Sequence, residues 1–95
     1  MLEKEIESKM RELVRKRGGL FYKFVSPGNR GVPDRIVVTP QGVVWFVELK
    51  TTTGRLSALQ KHHRAELEKR NANVRAISGW DAAKEFIDEV MGNGI

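Results

Sequence analysis

The sequence predicts an α/β fold in which a mixed β-sheet lies between layers of helices. Segments with the helical spacing of apolar residues occur at both ends and in the middle of the chain, with short strand-like runs between them. The central strand pair is also apolar on both of its faces, which is typical of strands that are covered on both sides. The expected order is α-β-β-β-α-β-α, a three-layer α/β/α arrangement in a single domain over residues 1–95.

The first half of the chain is predicted to contain one helix and three strands. The helix covers residues 2–17, because Leu2, Ile6 and Met10 recur at four-residue spacing, and Gly18-Gly19 ends it. A loop rich in Pro and Gly separates the first strand from the second, and Pro40-Gln41-Gly42 forms the turn before the third. The three strands are expected over residues 20–25, 36–39 and 43–49.

The second half is predicted to contain a helix, a short strand and a last helix. Ser57 is the expected N-cap of a helix over residues 58–70, with Gln60 three residues later as in a capping box. The strand covers residues 74–77. Asp81 is then expected to cap the last helix.

Composition restricts the classes of function. Seventeen Lys and Arg residues against twelve Asp and Glu residues give a formal net charge of +5, which favours a polyanionic partner such as nucleic acid. The absence of cysteine excludes disulfides, thiolate metal sites and cysteine nucleophiles. No apolar run approaches the roughly 18 residues of a membrane span. Because a signal-peptide core is also lacking, we expect a cytoplasmic protein with no membrane partner.

Three charged residues stand at one end of the otherwise apolar central hairpin. If Pro40-Gln41-Gly42 is a three-residue loop, Asp34 lies opposite Glu48, and Lys50 follows on the same face. Opposed carboxylates repel each other unless a cation lies between them, and oxygen ligands without sulfur suit Mg²⁺ or Mn²⁺. Two alternatives remain: a Glu48–Lys50 salt bridge with Asp34 capping a strand, or a two-residue loop that separates the faces.

Three segments of the chain carry a family resemblance: Gly31-Val32-Pro33-Asp34-Arg35, Phe46-Val47-Glu48-Leu49-Lys50 and Leu56-Ser57-Ala58-Leu59-Gln60. Their order and spacing resemble the Pro-Asp…(Asp/Glu)-x-Lys nuclease superfamily, and more closely its VRR-NUC family. Stand-alone members of that family are minimal nuclease domains common in phages and bacteria. The resemblance implies a restriction-endonuclease-like core and a location in a bacterial or phage-infected host cell.

The resemblance also implies the roles of the residues in the hairpin. Asp34 and Glu48 would bind the divalent metal through their side chains, and the backbone carbonyl of Leu49 would complete the protein ligands. Lys50 would orient or activate the attacking water and stabilise the developing charge on the phosphate. Gln60 would face the site from the following helix.

An acidic residue of the first helix commonly joins such a site, either directly or through water. Glu7 is our choice, because it lies on the same helical stripe as the apolar residues Met10 and Val14. Glu3 is the second candidate. Both residues could instead be solvated and stabilise the N-terminus of the helix.

Basic residues cluster around the predicted site, and five of them are expected to contact DNA: Arg30, Arg35, Arg55, Lys61 and Arg64. His62 and His63 are expected to be surface basic residues. Contacts to phosphates position the backbone and carry no sequence information. No base-reading element is visible, so we expect duplex or branched DNA, such as a flap or a four-way junction, to be recognised by its shape.

The predicted function is therefore Mg²⁺- or Mn²⁺-dependent hydrolysis of DNA phosphodiesters, without an organic cofactor. A non-catalytic nucleic-acid-binding module with the same fold is the main alternative, and a protein-interaction domain is a third hypothesis. Symmetric cutting requires two active sites, so a homodimer is expected. Its interface would draw on four apolar residues predicted to be exposed: Leu20, Phe21, Trp80 and Met91.

Overall fold

The computed structural model describes residues 1–92, which form three helices and four strands. In chain order these are α1 (Glu3–Lys16), β1 (Leu20–Lys23), β2 (Arg35–Val38), β3 (Val44–Lys50), α2 (Ala58–Lys69), β4 (Val74–Ser78) and α3 (Gly79–Met91). The strands form one sheet in the order β1-β2-β3-β4, in which β4 runs parallel to β3 and the other pairs are antiparallel. The predicted mixed α/β fold and its element order are confirmed.

The register of the β2–β3 hairpin is the one that the three-residue loop predicts. Arg35 pairs with Val47. Gly42, the third residue of the loop, has a φ of +86°, the left-handed conformation that such a loop needs. One further step along the ladder places Asp34 opposite Glu48, at the end where the chain leaves the hairpin.

One face of the sheet, which we call the packed face, is covered by α1 and α3. These helices contact each other as well as the strands. The rings of Trp45 on β3 and Phe86 on α3 meet edge to face at 5.2 Å between centroids. The buried apolar side chains between the layers are Ile6, Met10 and Val14 of α1, Phe21, Val37, Val47, Leu49 and Ile77 of the strands, and Ala83, Phe86 and Ile87 of α3.

The opposite face of the sheet, which we call the open face, is only partly covered. Helix α2 lies on the β4 side of this face, and none of its residues is fully buried. Leu20, Tyr22 and Val44 on the other side are 47%, 53% and 44% exposed. The coverage of the central strands is thus less complete than predicted, because the single helix on this face lies to one side of the sheet.

Two local expectations are corrected by the structure. Helix α3 begins at Gly79 with Ser78 in the N-cap position, so Asp81 lies within the first turn instead of capping it. Phe21, which was expected to be exposed, is 3% exposed because it points to the packed face. Within residues 1–92, no helix is both long enough and apolar enough to cross a membrane.

Candidate functional site

Asp34 directly precedes β2 and follows the buried Pro33. The amide of Phe24 donates to the Asp34 carbonyl at 2.8 Å, so the end of β1 fixes the backbone at this point. The Asp34 side chain is 52% exposed, and its Oδ1 lies 2.7 Å from Nη1 of Arg35. The backbone is thus held while the carboxylate remains accessible to solvent.

The loop before Asp34 packs closely on the first turn of α2. Gly31 has a φ of +81°, and a Cβ atom built at this position would lie 2.6 Å from the backbone carbon of Leu59. Only glycine allows both this conformation and this approach. The Gly31-Val32-Pro33-Asp34 segment therefore connects α2 with the end of the hairpin.

Glu48 is a buried carboxylate on β3, with only 7% of its surface exposed. Burial is the main cause that raises the pKa of Glu48, to about 7, and the negative charge of Asp34 adds to the effect. Lys50, on the same face two residues later, opposes it. The end of the hairpin therefore holds two neighbouring carboxylates with one lysine beside them, and the charge of Asp34 disfavours the ionisation of Glu48.

Gln60 connects this carboxylate to α2. Its Nε2 donates to Oε2 of Glu48 at 3.1 Å. Its Oε1 accepts from the backbone N–H of Ser57 at 2.8 Å, and the Gln60 backbone N–H donates to Oγ of Ser57 at 3.1 Å. The N-cap and the capping box predicted for this helix are confirmed, and the structure places Gln60, which was expected to face the site, against Glu48.

Arg35 does not lie where a phosphate-binding residue is expected. It is 8% exposed, because its position on β2 points to the packed face beneath α1. Its guanidinium binds the carboxylates of Asp34 and Glu7. The predicted contact of Arg35 with DNA is therefore replaced by a buried ion pair within the domain.

Glu7 is buried, as its place on the apolar stripe of α1 predicts. Burial by itself would raise the pKa of Glu7, but the charge of Arg35 and hydrogen bonds from Arg35 and Arg11 outweigh it and lower the pKa. One oxygen accepts from Arg35, and the other accepts from Nη1 of Arg11 at 2.9 Å. A metal bound directly by Glu7 would compete with both guanidinium groups. Glu3 is instead the α1 residue whose negative charge contributes to the raised pKa of Glu48.

The donor set at the end of the hairpin suits a hard divalent cation. Asp34 and Glu48 supply carboxylate oxygens, and the backbone carbonyl of Leu49 lies between Glu48 and Lys50 in the chain. Within residues 1–92, no three His, Asp or Glu side chains form a metal-binding group by themselves. A site here thus depends on two carboxylates, a backbone oxygen and water, which is typical of Mg²⁺. Burial and the charge of Asp34 raise the pKa of Glu48, and a cation bound here would oppose both effects.

The remaining basic residues lie on segments that flank this end of the hairpin. Arg30, Arg55 and Lys61 are exposed, on the loop before β2, the loop after β3 and the first turn of α2. Arg64 is half-buried, and its Nε lies 3.7 Å from the Glu68 carboxylate. Four of the five predicted DNA-binding residues thus remain candidates for phosphate contacts.

Known proteins resemble this chain in sequence and in fold. The family described as the VRR-NUC domain matches residues 2–81. The chain belongs to the VRR-NUC family. Over 65 residues it is 48% identical to "Putative nuclease p44" of Acyrthosiphon pisum secondary endosymbiont phage 1, covering 68% of this chain and 70% of that protein. A solved structure described as a VRR_NUC domain matches with a TM-score of 0.85 and 29% identity, over 93% of this chain and 96% of that one. The predicted family and fold are confirmed, and they make this VRR-NUC chain a nuclease domain.

Proposed function

We propose that this VRR-NUC domain is a divalent-metal-dependent deoxyribonuclease that hydrolyses phosphodiester bonds in branched, flapped or four-way-junction DNA. The observation that carries the proposal is the buried Glu48 beside Asp34, with Lys50 on the same face. A domain that only binds nucleic acid gains nothing from burying one of two neighbouring carboxylates, which costs stability. A metal-dependent hydrolase needs this arrangement to hold its cation.

In this proposal Asp34, Glu48 and the Leu49 carbonyl hold Mg²⁺ or Mn²⁺. When bound, such an ion would supply Lewis-acid polarisation of a phosphoryl oxygen and activation of a water molecule. Glu7, predicted above as a further ligand, acts through Arg35, since it holds the guanidinium that binds Asp34. Glu3 replaces Glu7 as the acidic residue of α1 that influences the site, because its negative charge contributes to the raised pKa of Glu48.

Two further side chains act on the reacting groups. Lys50 supplies a positive charge and N–H donors that orient the attacking water and stabilise charge developing on the phosphate. Gln60 donates to Oε2 of Glu48 and so limits the rotation of that carboxylate. Preorganisation of this kind is the main contribution of a protein to phosphoryl transfer.

The nucleic-acid surface comprises Arg30, Arg55, Lys61 and Arg64. These residues lie on three segments around the catalytic end of the hairpin. Contacts between their side chains and phosphates position the backbone without reading bases, so the shape of the DNA governs selection. In this proposal the protein acts on DNA in the cytoplasm of a bacterial or phage-infected cell.

The same proposal includes a homodimer that uses the open face. The exposed side chains of this face include Leu20, Tyr22 and Val44. The sheet register places them on the same face as Asp34 and Glu48. A second copy that covers this surface would bring two active sites together. Sedimentation should show a dimer at micromolar concentration and a monomer for Tyr22→Glu; a wild-type protein that is only monomeric would disprove this part.

The central experiment is a cleavage assay on linear, nicked, flapped and four-way-junction DNA with Mg²⁺, Mn²⁺ or EDTA. We expect the wild-type protein to cut branched substrates only with metal and Glu48→Gln to be inactive. Glu85→Gln, an equally conservative change at an exposed position of α3, should cut normally. DNA binding without cutting by the wild type would favour the non-catalytic binding module.

A further inference from the structure

We propose that Ser57 is a positioning residue of the active site. Its backbone N–H fixes the orientation of the Gln60 amide, and this amide in turn holds Glu48. The backbone N–H of Ser57 is therefore part of the catalytic apparatus, whereas the Ser57 hydroxyl, which caps α2, serves the stability of the helix. The inference rests on the function proposed above and assigns a role to a residue outside the predicted site.

The two ends of the Gln60 side-chain amide bind different partners. A glutamine amide presents an oxygen on one side and an NH₂ group on the other, and its partners decide which way it points. Here the oxygen accepts from the Ser57 N–H at 2.8 Å, and the NH₂ group donates to Glu48 Oε2 at 3.1 Å. The reversed amide would place two donors together at Ser57 and two acceptors together at Glu48. Both contacts therefore select the same orientation.

The position of α2 makes this anchor necessary. The helix has no fully buried residue that could lock it against the sheet. Its first turn is instead held by the close approach of Gly31 to the backbone of Leu59 and Gln60. Gln60 lies between this contact and Glu48, so its amide transmits the position of the helix end to the catalytic carboxylate.

The hydrogen bond from Gln60 restricts the rotation of the Glu48 carboxylate. Because Oε2 is bound by Gln60, the plane of the carboxylate is defined and Oε1 is left for the cation. Loss of the Ser57 N–H would free the amide to rotate, and the carboxylate would lose its fixed plane. Partners of this indirect kind typically contribute 10- to 100-fold to metal affinity or activity.

Two substitutions separate the anchor from the helix cap. Ser57→Ala removes the hydroxyl that caps the helix but keeps the N–H. Ser57→Pro removes both, and the native φ of −71° suits proline. Ser57→Ala should lower Tm by about 4–8 °C and leave cleavage within about threefold of wild type. Ser57→Pro should lose a further factor of about ten in kcat at saturating DNA. Equal kcat for the two variants would overturn the proposal.

A second measurement is independent of cleavage. In ¹⁵N-labelled protein with EDTA, the side-chain NH₂ signals of Gln60 should shift towards those of a free amide in Ser57→Pro but not in Ser57→Ala. Unshifted signals in Ser57→Pro would overturn the role of Ser57 even if the wild type cuts DNA. If the wild type cuts no DNA, the proposed function fails, and these signals still decide whether Ser57 orients Gln60.

Gln60→Glu covers the case in which Ser57→Pro does not fold. The new carboxylate still accepts from the Ser57 N–H, so the capping box should be preserved, although repulsion from Glu48 should lower Tm at neutral pH. It replaces the donor that faces Glu48 with a second acceptor, so kcat should fall at least tenfold relative to wild type. Wild-type kcat in a folded Gln60→Glu protein would contradict the oriented amide.

Discussion

The two faces of the sheet differ in how completely they are covered. On the packed face, α1 and α3 bury apolar side chains from every strand, including Phe21 of the edge strand β1. On the open face, α2 contributes no fully buried residue, and Tyr22 of the same edge strand is 53% exposed. The packed face thus contains the main apolar core of the domain, while the open face leaves apolar side chains exposed. Glu48 projects to the open face and Arg35 to the packed face.

The glutamates Glu7 and Glu48 differ in the direction in which their pKa values are shifted. Both are buried, at 8% and 7% exposure. For Glu7, burial is outweighed by guanidinium groups, and its pKa falls. For Glu48, burial is reinforced by a neighbouring carboxylate, and its pKa rises to about 7. Glu7 is thus satisfied by its guanidinium partners, whereas the perturbed pKa of Glu48 makes it a candidate functional-site residue.

The largest expected effect is the loss of cleavage when a carboxylate at the edge of the open face is replaced by an amide. Asp34→Asn and Glu48→Gln should each reduce metal-dependent cleavage by at least about a thousandfold, because the bound metal supplies several kcal/mol of charge stabilisation. DNA affinity should change little, since it depends on Lys and Arg contacts with phosphates. Single-turnover cleavage and DNA-binding titrations test both statements. Near-normal cleavage at saturating metal would remove the substituted residue from the site.

A matched pair of substitutions compares the stability of the two faces. Phe86→Ala should lower the free energy of unfolding by about 3–5 kcal/mol, because it leaves a cavity beside Trp45 on the packed face. Val44→Ser on the open face should change the stability of the monomer by less than about 0.5 kcal/mol. Urea unfolding at low protein concentration measures both. A comparable loss in Val44→Ser would show that the open face is not free in the monomer.

The sequence predicted the hairpin register, the opposed carboxylates and the helix cap, because local turn and capping chemistry determines them. It did not predict the role of Arg35, although alternation along β2 places this residue on the same face as the buried Val37. A charged residue on a core-facing position needs a partner, and Glu7 on the apolar stripe of α1 was the available acid. What the pattern could not supply is the tertiary contact between α1 and β2. The partial coverage by α2 depends likewise on helix placement, which apolar periodicity does not determine.

Arg35→Gln tests the buried ion pair between the two regions. It leaves Glu7 buried with Arg11 as its cationic partner, so the protein should lose about 3 kcal/mol of stability. Thermal and urea unfolding measure this loss. Below the melting temperature, the salt dependence of DNA binding should match that of the wild type, because the guanidinium does not reach phosphates. A reduced salt slope with unchanged stability would restore the original assignment of Arg35 to DNA.

The pH dependence of stability should distinguish Glu48 from Glu7. The pKa of Glu48 is raised from 4.5 to about 7 in the folded state, so its contribution is fully present below pH 4.5 and is lost as pH rises through 7. The loss is up to about 3 kcal/mol in EDTA. The pKa of Glu7 is lowered, so its contribution is present above pH 4.5 and is lost as pH falls. Urea midpoints from pH 4 to 8 for wild type and Glu48→Gln test this; an equal decline above pH 5 in both proteins would exclude Glu48 as its source.

Arg55→Ala should give the smallest effect. It is the exposed counterpart of Arg35→Gln, because both substitutions remove a guanidinium group that the sequence predicts to contact DNA. Arg55 lies in the exposed loop after β3, so its removal should leave Tm within about 2 °C of wild type. If its guanidinium binds one phosphate, log K should fall less steeply with log salt by about one unit, equally for all DNA sequences. Binding titrations on two unrelated duplexes at several salt concentrations measure this slope. A change in which sequence is cut would instead mean that Arg55 reads bases, and recognition by shape alone would be wrong.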